Sequence, residues 1–250
     1  MSVELLRQLQ LWDQGAPDAP YSIRESARAR RLSVRVFRDG AVEVVVPRRT
    51  AAQRVAAFVS QHNEWIEAQR RRVRQRVETP FPPQALDLSG IGEQWHCTVA
   101  ATDAPPRLHV AGGGVLLLSG RAHDRVATRD AFIGWLIAHG RQVLELPLRS
   151  LAQRMGVQFA RLQLRCQRTR WGSCSRRGTI SLNCCALFQP EPVLRYLMVH
   201  ELAHLEHMNH SPRFWDFVAR FEPQWRQLDA ELRHGWLRVP TWIVSRARAA

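Results

Sequence analysis

Residues 200–210 read His-Glu-Leu-Ala-His-Leu-Glu-His-Met-Asn-His. Residues four apart share one face of a helix, so His200 and His204 can offer imidazole nitrogens to one ion while Glu201 projects beside it. His210 is the third candidate ligand. It follows a reversal that Asn209 suits, because asparagine tolerates the left-handed conformation that ends a helix. Zinc matches such a donor set: a catalytic site takes three ligands from the protein and leaves the fourth place to water. The ion lowers the pKa of that water to about 7, and a nearby carboxylate takes its proton as it attacks. The spacing thus predicts a zinc-dependent hydrolase with His200, His204 and His210 on the metal and Glu201 as general base. His207, seven residues after His200, and Glu222 are the alternatives for the third ligand.

The flanks predict the elements that carry this motif. Pro190 and Pro192 suit a helix entrance, where proline loses no needed donor and its φ is already helical. Val193, Leu194, Leu197, Met198, Leu202 and Leu205 then form an apolar stripe at helical spacing. Ser211-Pro212 reads as an N-cap and first-turn proline, opening a second helix from Pro212 to about Phe221. Phe214, Trp215, Phe217 and Val218 are its core face.

The motif and its neighbours together resemble a known family. Arg170-Trp171-Gly172-Ser173-Cys174, Ile180-Ser181-Leu182-Asn183, the His-Glu-Leu-Ala-His run, Met208-Asn209-His210-Ser211 and Phe214-Trp215 are similar to the YgjP-like metal-dependent hydrolases, relatives of the SprT-like and WLM zincins. The close similarity covers about residues 165 to 217. It implies a zincin catalytic domain with zinc on His200, His204 and His210 and with Glu201 as base. Members of the family are described both as peptidases and as nucleoside triphosphate pyrophosphatases. A zinc metallopeptidase is the leading expectation, because a three-histidine site with an adjacent glutamate is the peptidase arrangement and clusters of carboxylates suited to magnesium are missing. A nucleoside triphosphate pyrophosphatase using the same metal site is the alternative. A nucleic-acid-associated zinc protein without activity comes third. Arg170, Trp171, Ser173 and Asn183 are the candidates for substrate contact. Thr179 to Asn183 is the candidate strand for pairing with an extended peptide.

Composition bounds the remaining possibilities. The chain has 250 residues, 45% of them hydrophobic, with nine tryptophans, so it can bury one large or two modest cores and is not a disordered segment. No apolar run reaches the 18 or so residues of a membrane span, and Met1-Ser2-Val3-Glu4 lacks the basic start of a signal peptide. A cytoplasmic enzyme is expected. Five cysteines without a Cys-x-x-Cys pair argue against a disulfide framework or a zinc ribbon and for reduced thiols.

The formal charge of +14 is carried without a single lysine. Between Leu146 and Pro190 there is no Asp or Glu, whereas Arg149, Arg154, Arg161, Arg165, Arg168, Arg170, Arg176 and Arg177 fall there. Such a run leading into the metal helix favours anionic partners by focusing the field. A second cluster, Arg70, Arg71, Arg72, Arg74 and Arg76, is expected on the exposed end of a long helix. Polypeptide or nucleotide substrates, and sequence-independent contact with nucleic acid through these arginines, are the expected partners; a membrane is not.

Coarse periodicity completes an α+β assignment: a β-rich N-terminal module crossed by a long helix, then a zincin-like α+β catalytic domain holding the metal helix. Residues 1–20 read as a docking segment around an apolar stretch from Leu5 to Trp12, residues 21–123 as the N-terminal module, and residues 124–250 as the catalytic domain. In the module, Leu32–Phe37 and Val42–Val46 alternate like strands around the turn signal Asp39-Gly40. Thr50 and Gln53 suit a capping box, with Val55, Phe58, Val59, Trp65, Ile66 and Val73 as the buried stripe of the helix that follows. Trp95–Ala100, Arg107–Ala111 and Val115–Leu118 read as further strands. From Asp124 the pattern turns helical up to Gly156, with a break or kink at Pro147. Strands at Arg161–Cys166 and Thr179–Asn183 flank a Trp-Gly-Ser-Cys loop.

Overall fold

The valine-rich run of residues 42–46 is the centre of a three-stranded sheet. In the computed structural model, which describes residues 21–37, 40–74 and 79–244, this sheet orders β1 (Tyr21–Ser26), β3 (Val42–Pro47) and β2 (Ser33–Val36) side by side. β3 pairs parallel with β1 and antiparallel with β2, so both its edges are satisfied and nearly every residue can be apolar. Gly40 turns the β2–β3 hairpin with φ +79, a conformation open to glycine. Asp39, and the docking segment of residues 1–20, lie outside the described residues.

The helical stretch after β3 differs from expectation in three ways. It divides at His62 into α1 (Ala52–Gln61) and α2 (Asn63–Arg74), and the His62 ring nitrogen meets the Phe58 carbonyl at 2.8 Å. Thr50 forms no capping box: Ala51 is the N-cap, and the Thr50 hydroxyl donates back to the Pro47 carbonyl at 2.8 Å. Trp65 is exposed, and the buried set on the sheet is Val55, Val59 and Ile66. Arg70 is buried, donating to the Gly40 carbonyl and pairing with Glu67 at 3.3 Å. It therefore leaves the expected exposed basic cluster, in which Arg76 lies outside the described residues.

The chain forms two compact units, Met1–Val77 and Glu78–Ala250. This division does not coincide with the boundary near residue 123 expected from the change of periodicity at Asp124. The physical reason is a shared core: Leu86, Leu88, Leu116 and Leu118 belong to the same buried cluster as the helices and strands that follow. They come from a four-stranded sheet of order β4 (Ala85–Leu88), β5 (Glu93–Ala101), β7 (Val115–Gly120) and β6 (Arg107–Gly112), with β5 and β7 parallel.

α3 (Arg125–Met155) then runs through this unit without a break. Asp124 caps it by accepting the Ala127 N–H at 3.0 Å, and Gly156 ends it at φ +70. Pro147 sits inside the helix and does not divide it. A proline there costs about 3 kcal/mol, whereas each fully buried leucine contributes roughly 1.5–3 kcal/mol. Leu144, Leu148 and Leu151 around it are all buried and outweigh the loss.

A second three-stranded sheet follows, ordered β8 (Arg161–Arg165), β10 (Thr179–Asn183), β9 (Gly172–Cys174). β10 is the middle strand, parallel to β8 and antiparallel to β9. After a 3₁₀ turn at Cys184–Phe188 come α4 (Glu191–Ala203), α5 (Pro212–Phe221), α6 (Trp225–His234) and, past a second 3₁₀ turn, the short α7 (Thr241–Val244). The result is a mixed α+β protein. Among the described residues no helix is long and apolar enough to cross a membrane.

Candidate metal centre and active site

α4 has Pro190 as its N-cap and carries Pro192 in its first turn, as the sequence suggests, and it buries Val193, Leu194, Leu197, Val199 and Leu202. Its end is different. The helix stops at Ala203 through a turn in which the N–H groups of Glu206 and His207 reach the Ala203 carbonyl at 3.2 and 3.0 Å. Asn209 does not take the left-handed conformation; among the described non-glycine residues only Arg49 has positive φ. The early stop brings His210 back over the helix end. Its Nε2 stands 3.1 Å from His200 Nε2, and one donor atom from each of His200, His204 and His210 lies within 4.8 Å of the others.

The remaining ring nitrogens are tied elsewhere, which fixes where the lone pairs point. Tyr196, four residues before His200, donates its hydroxyl to Asp229 Oδ1 at 3.0 Å. That hydroxyl must therefore accept from His200 Nδ1–H, 3.3 Å away, leaving Nε2 as a bare donor. Arg233 in turn pairs with Asp229. His204 Nδ1 donates to the His207 carbonyl at 3.1 Å, which likewise frees its Nε2. Phe214 on α5 packs against all three imidazoles, with centroids 4.7–5.1 Å away, and Trp215 braces His200 and His210. α5 has the bounds expected for it, although the Ser211 side chain makes no capping bond.

These observations also place the two alternative ligands. His207 contributes its carbonyl to His204, and its ring packs against Phe217. Glu222 is paired with Arg195. Neither joins the cluster.

The electrostatics suit a divalent cation. Burial pushes His200 down to about 3, with His204 and His210 adding to the effect, and burial also lowers His204. Both rings are thus neutral and able to ligate at ordinary pH. A tetrahedral ion with bonds of about 2.0–2.1 Å holds its nitrogens roughly 3.3–3.4 Å apart, close to the His200–His210 separation of 3.1 Å. Glu201 is 4% exposed, and its Oε2 has no hydrogen-bond partner among the described protein groups. Burial pushes its carboxyl up to about 8, opposed by the positive charge of Arg170. A cation among the three histidines would supply the charge compensation that this buried carboxylate lacks. The residues present therefore fit the metal.

Gly172 is the residue that lets Glu201 sit here. A Cβ on Gly172 would fall within 2.7 Å of the Glu201 Cδ and Cγ, so the edge strand β9 reaches the carboxylate only because position 172 has no side chain. Neither Gly172 nor the Tyr196–Asp229 support was singled out from the sequence. Tyr196 lies on the His200 face at i−4, a signal that could have been used; Asp229 is brought in from α6 and carried no local signal.

The candidate substrate residues separate into two groups. Arg170 is exposed and acts on Glu201 electrostatically, and Ser173 is half-exposed on β9, opposite Ser181. Trp171 stacks on Trp236 at 4.0 Å, which makes it a packing residue for the loop. Asn183 is not available to substrate. It is fully buried, its amide donates to the carbonyls of Gln167 and Arg170 at 2.6 and 2.9 Å, and its oxygen accepts from the Cys185 N–H at 3.1 Å. The strand proposed for peptide pairing is also corrected, because β10 is hydrogen-bonded on both edges.

The histidine support yields a first expected outcome. Tyr196→Phe removes the hydroxyl that orients His200 and should weaken metal affinity about 10–100-fold with the fold retained; competition against a chelator measures it. A second concerns pH in the metal-free protein. Glu201 binds its proton more tightly folded than unfolded, so its contribution is full below about 4.5 and is lost as pH rises through about 8. His200 is the opposite case: its contribution is full above 6.5 and is lost as pH falls towards about 3. Between 6.5 and 8 Glu201 acts alone of the two, so the melting temperature of metal-free protein, taken relative to that of Glu201→Gln, should fall across that window. Saturating metal should flatten the fall.

What such a site offers is metal-dependent hydrolysis, and the matching family model agrees on that class. Residues 30–235 match the family described as YgjP-like, metallopeptidase domain. The chain belongs to the YgjP-like family. Among curated proteins, the UTP pyrophosphatase of Escherichia coli (strain K12) is 46% identical over 44 residues, which are 18% of this chain and 26% of that protein. The chain thus matches about a quarter of the length of this relative. Among solved structures, the crystal structure of the metallopeptidase zymogen of Pyrococcus abyssi abylysin is 26% identical over 36% of this chain and 91% of its own, with a TM-score of 0.34.

Proposed function

We propose that the protein is a zinc metallopeptidase that cleaves extended or unfolded polypeptide, with His200, His204 and His210 holding the ion. The observation that carries this reading is the position of β9. It is an edge strand of its sheet, no described strand pairs with its outer side, and Gly172 lies against Glu201. An extended peptide adding to that edge would gain main-chain hydrogen bonds without side-chain selectivity, and its backbone would run past the carboxylate.

Zinc, when bound, supplies a Lewis acid that acidifies water and stabilises negative charge on a carbonyl oxygen. The chain's own groups do the rest. Glu201 accepts the proton of the attacking water on its carboxylate and returns it to the leaving amine. Its burial keeps bulk water from competing for that proton, and Arg170 biases it towards the ionised form. Tyr196 and the His207 carbonyl hold two of the imidazoles in the ligating tautomer.

A second reading, nucleoside triphosphate pyrophosphatase, is favoured by the name of the curated relative and by the exposed Arg170, Arg176 and Arg177 on the segment around β9. Arginine forks suit phosphate oxygens as well as carboxylates. Zinc-loaded protein incubated with an unfolded polypeptide and, separately, with UTP decides between them. New peptide amino termini are expected; pyrophosphate release from UTP with the polypeptide left intact would replace the first reading by the second.

A further inference from the structure

Three cysteines that take no part in the histidine site meet at the end of the second sheet. β8 and β10 run parallel with Arg165 opposite Asn183, so the next residues, Cys166 and Cys184, leave their strands side by side. Cys185 follows on the 3₁₀ turn. Asn183 fixes the arrangement by tying the chain just after Cys166 to the start of that turn, through the Gln167 carbonyl and the Cys185 N–H. The three sulfurs lie within 4.8 Å of one another, and no disulfide joins any of them. Cys184 and Cys185 are buried, whereas Cys166 is half-exposed and gives a way in. A trigonal ion with metal–sulfur bonds of about 2.3 Å holds its sulfurs about 4.0 Å apart, within that limit.

We propose that Cys166, Cys184 and Cys185 form a second metal site, which takes the soft monovalent ion Cu(I) in three-sulfur coordination. Thiolates select soft ions, Cu(I) and zinc foremost. A structural zinc site takes four protein ligands, and among the described residues the cluster has three.

The site's place in the chain defines its role. Cys166 opens the segment that runs through Arg170 to Gly172, so an ion here would anchor the approach to β9 from a distance and would not touch the reacting groups.

The test is an anaerobic titration of the reduced, metal-free full chain with Cu(I) against a colorimetric chelator, followed by X-ray absorption at the copper edge. About one ion per chain with sulfur neighbours alone is expected, and it should persist in His210→Ala. Cys166→Ser should weaken it about tenfold or more. Cys166→Ser, at the half-exposed ligand, and Cys185→Ala carry the test, each checked by its melting curve. Nitrogen neighbours around the copper, or an affinity unchanged in both variants, would overturn the assignment.

Discussion

Glu201→Gln is expected to lower kcat by about 10²–10⁴-fold, the range that a positioned general base supplies, while metal content stays at the wild-type level. The amide keeps the shape of the side chain but cannot take up a proton. The fold should hold, because Glu201 Oε2 makes no hydrogen bond among the described protein groups that glutamine would forfeit. Loss of this carboxyl's share of the pH dependence of the metal-free melting temperature between 6.5 and 8 is the accompanying signature. Single-turnover rates and melting curves on the same preparation read both effects. Full activity in this variant would remove Glu201 from the chemistry.

Gly172→Ala is the second large effect. The added methyl would overlap a carboxylate that is itself enclosed, so either β9 or Glu201 must move. Overpacking of this kind costs about 1–3 kcal/mol, and displacing a reacting group by about an ångström can cost about 10²-fold in rate. The change should therefore reduce turnover and stability together and leave the metal in place, because no histidine is touched. A variant with unchanged turnover would mean that the contact between β9 and Glu201 has no bearing on activity.

How far the sequence could be read depends on whether a feature is local or arises from pairing. α5, from Pro212 to Phe221, was legible to the residue, because proline and an apolar stripe mark it without help from elsewhere. The placing of His200 and Glu201 side by side on α4 was legible for the same reason, whereas His204 falls at its C-cap. The break at His62, the early end of α4 at Ala203 and the survival of α3 through Pro147 were not. In each, tertiary burial or a local backbone bond outweighs the signal that propensity gives.

Strand order was less accessible still. Both β9 and β10 read as short strands or loop, and only their pairing shows which one is the edge. That single fact moves the peptide-pairing role from Thr179–Asn183 to Gly172–Cys174. It also turns Asn183 from a substrate candidate into a buried tie between strand and loop. The parallel register of β8 and β10, equally invisible in one dimension, gathers Cys166, Cys184 and Cys185. The boundary at 77 rather than 123 has the same origin, since the leucines of β4 and β7 find their partners beyond residue 124.

The central claim is that the three histidines hold a metal ion beside Glu201. Elemental analysis of wild type, Glu201→Gln and His210→Ala, purified identically and dialysed against a weak chelator, tests it most directly. The account predicts about one zinc ion per chain in the first two and a loss of most of it in His210→Ala, where a ligand 3.1 Å from His200 is gone. Zinc content unchanged in His210→Ala would contradict it.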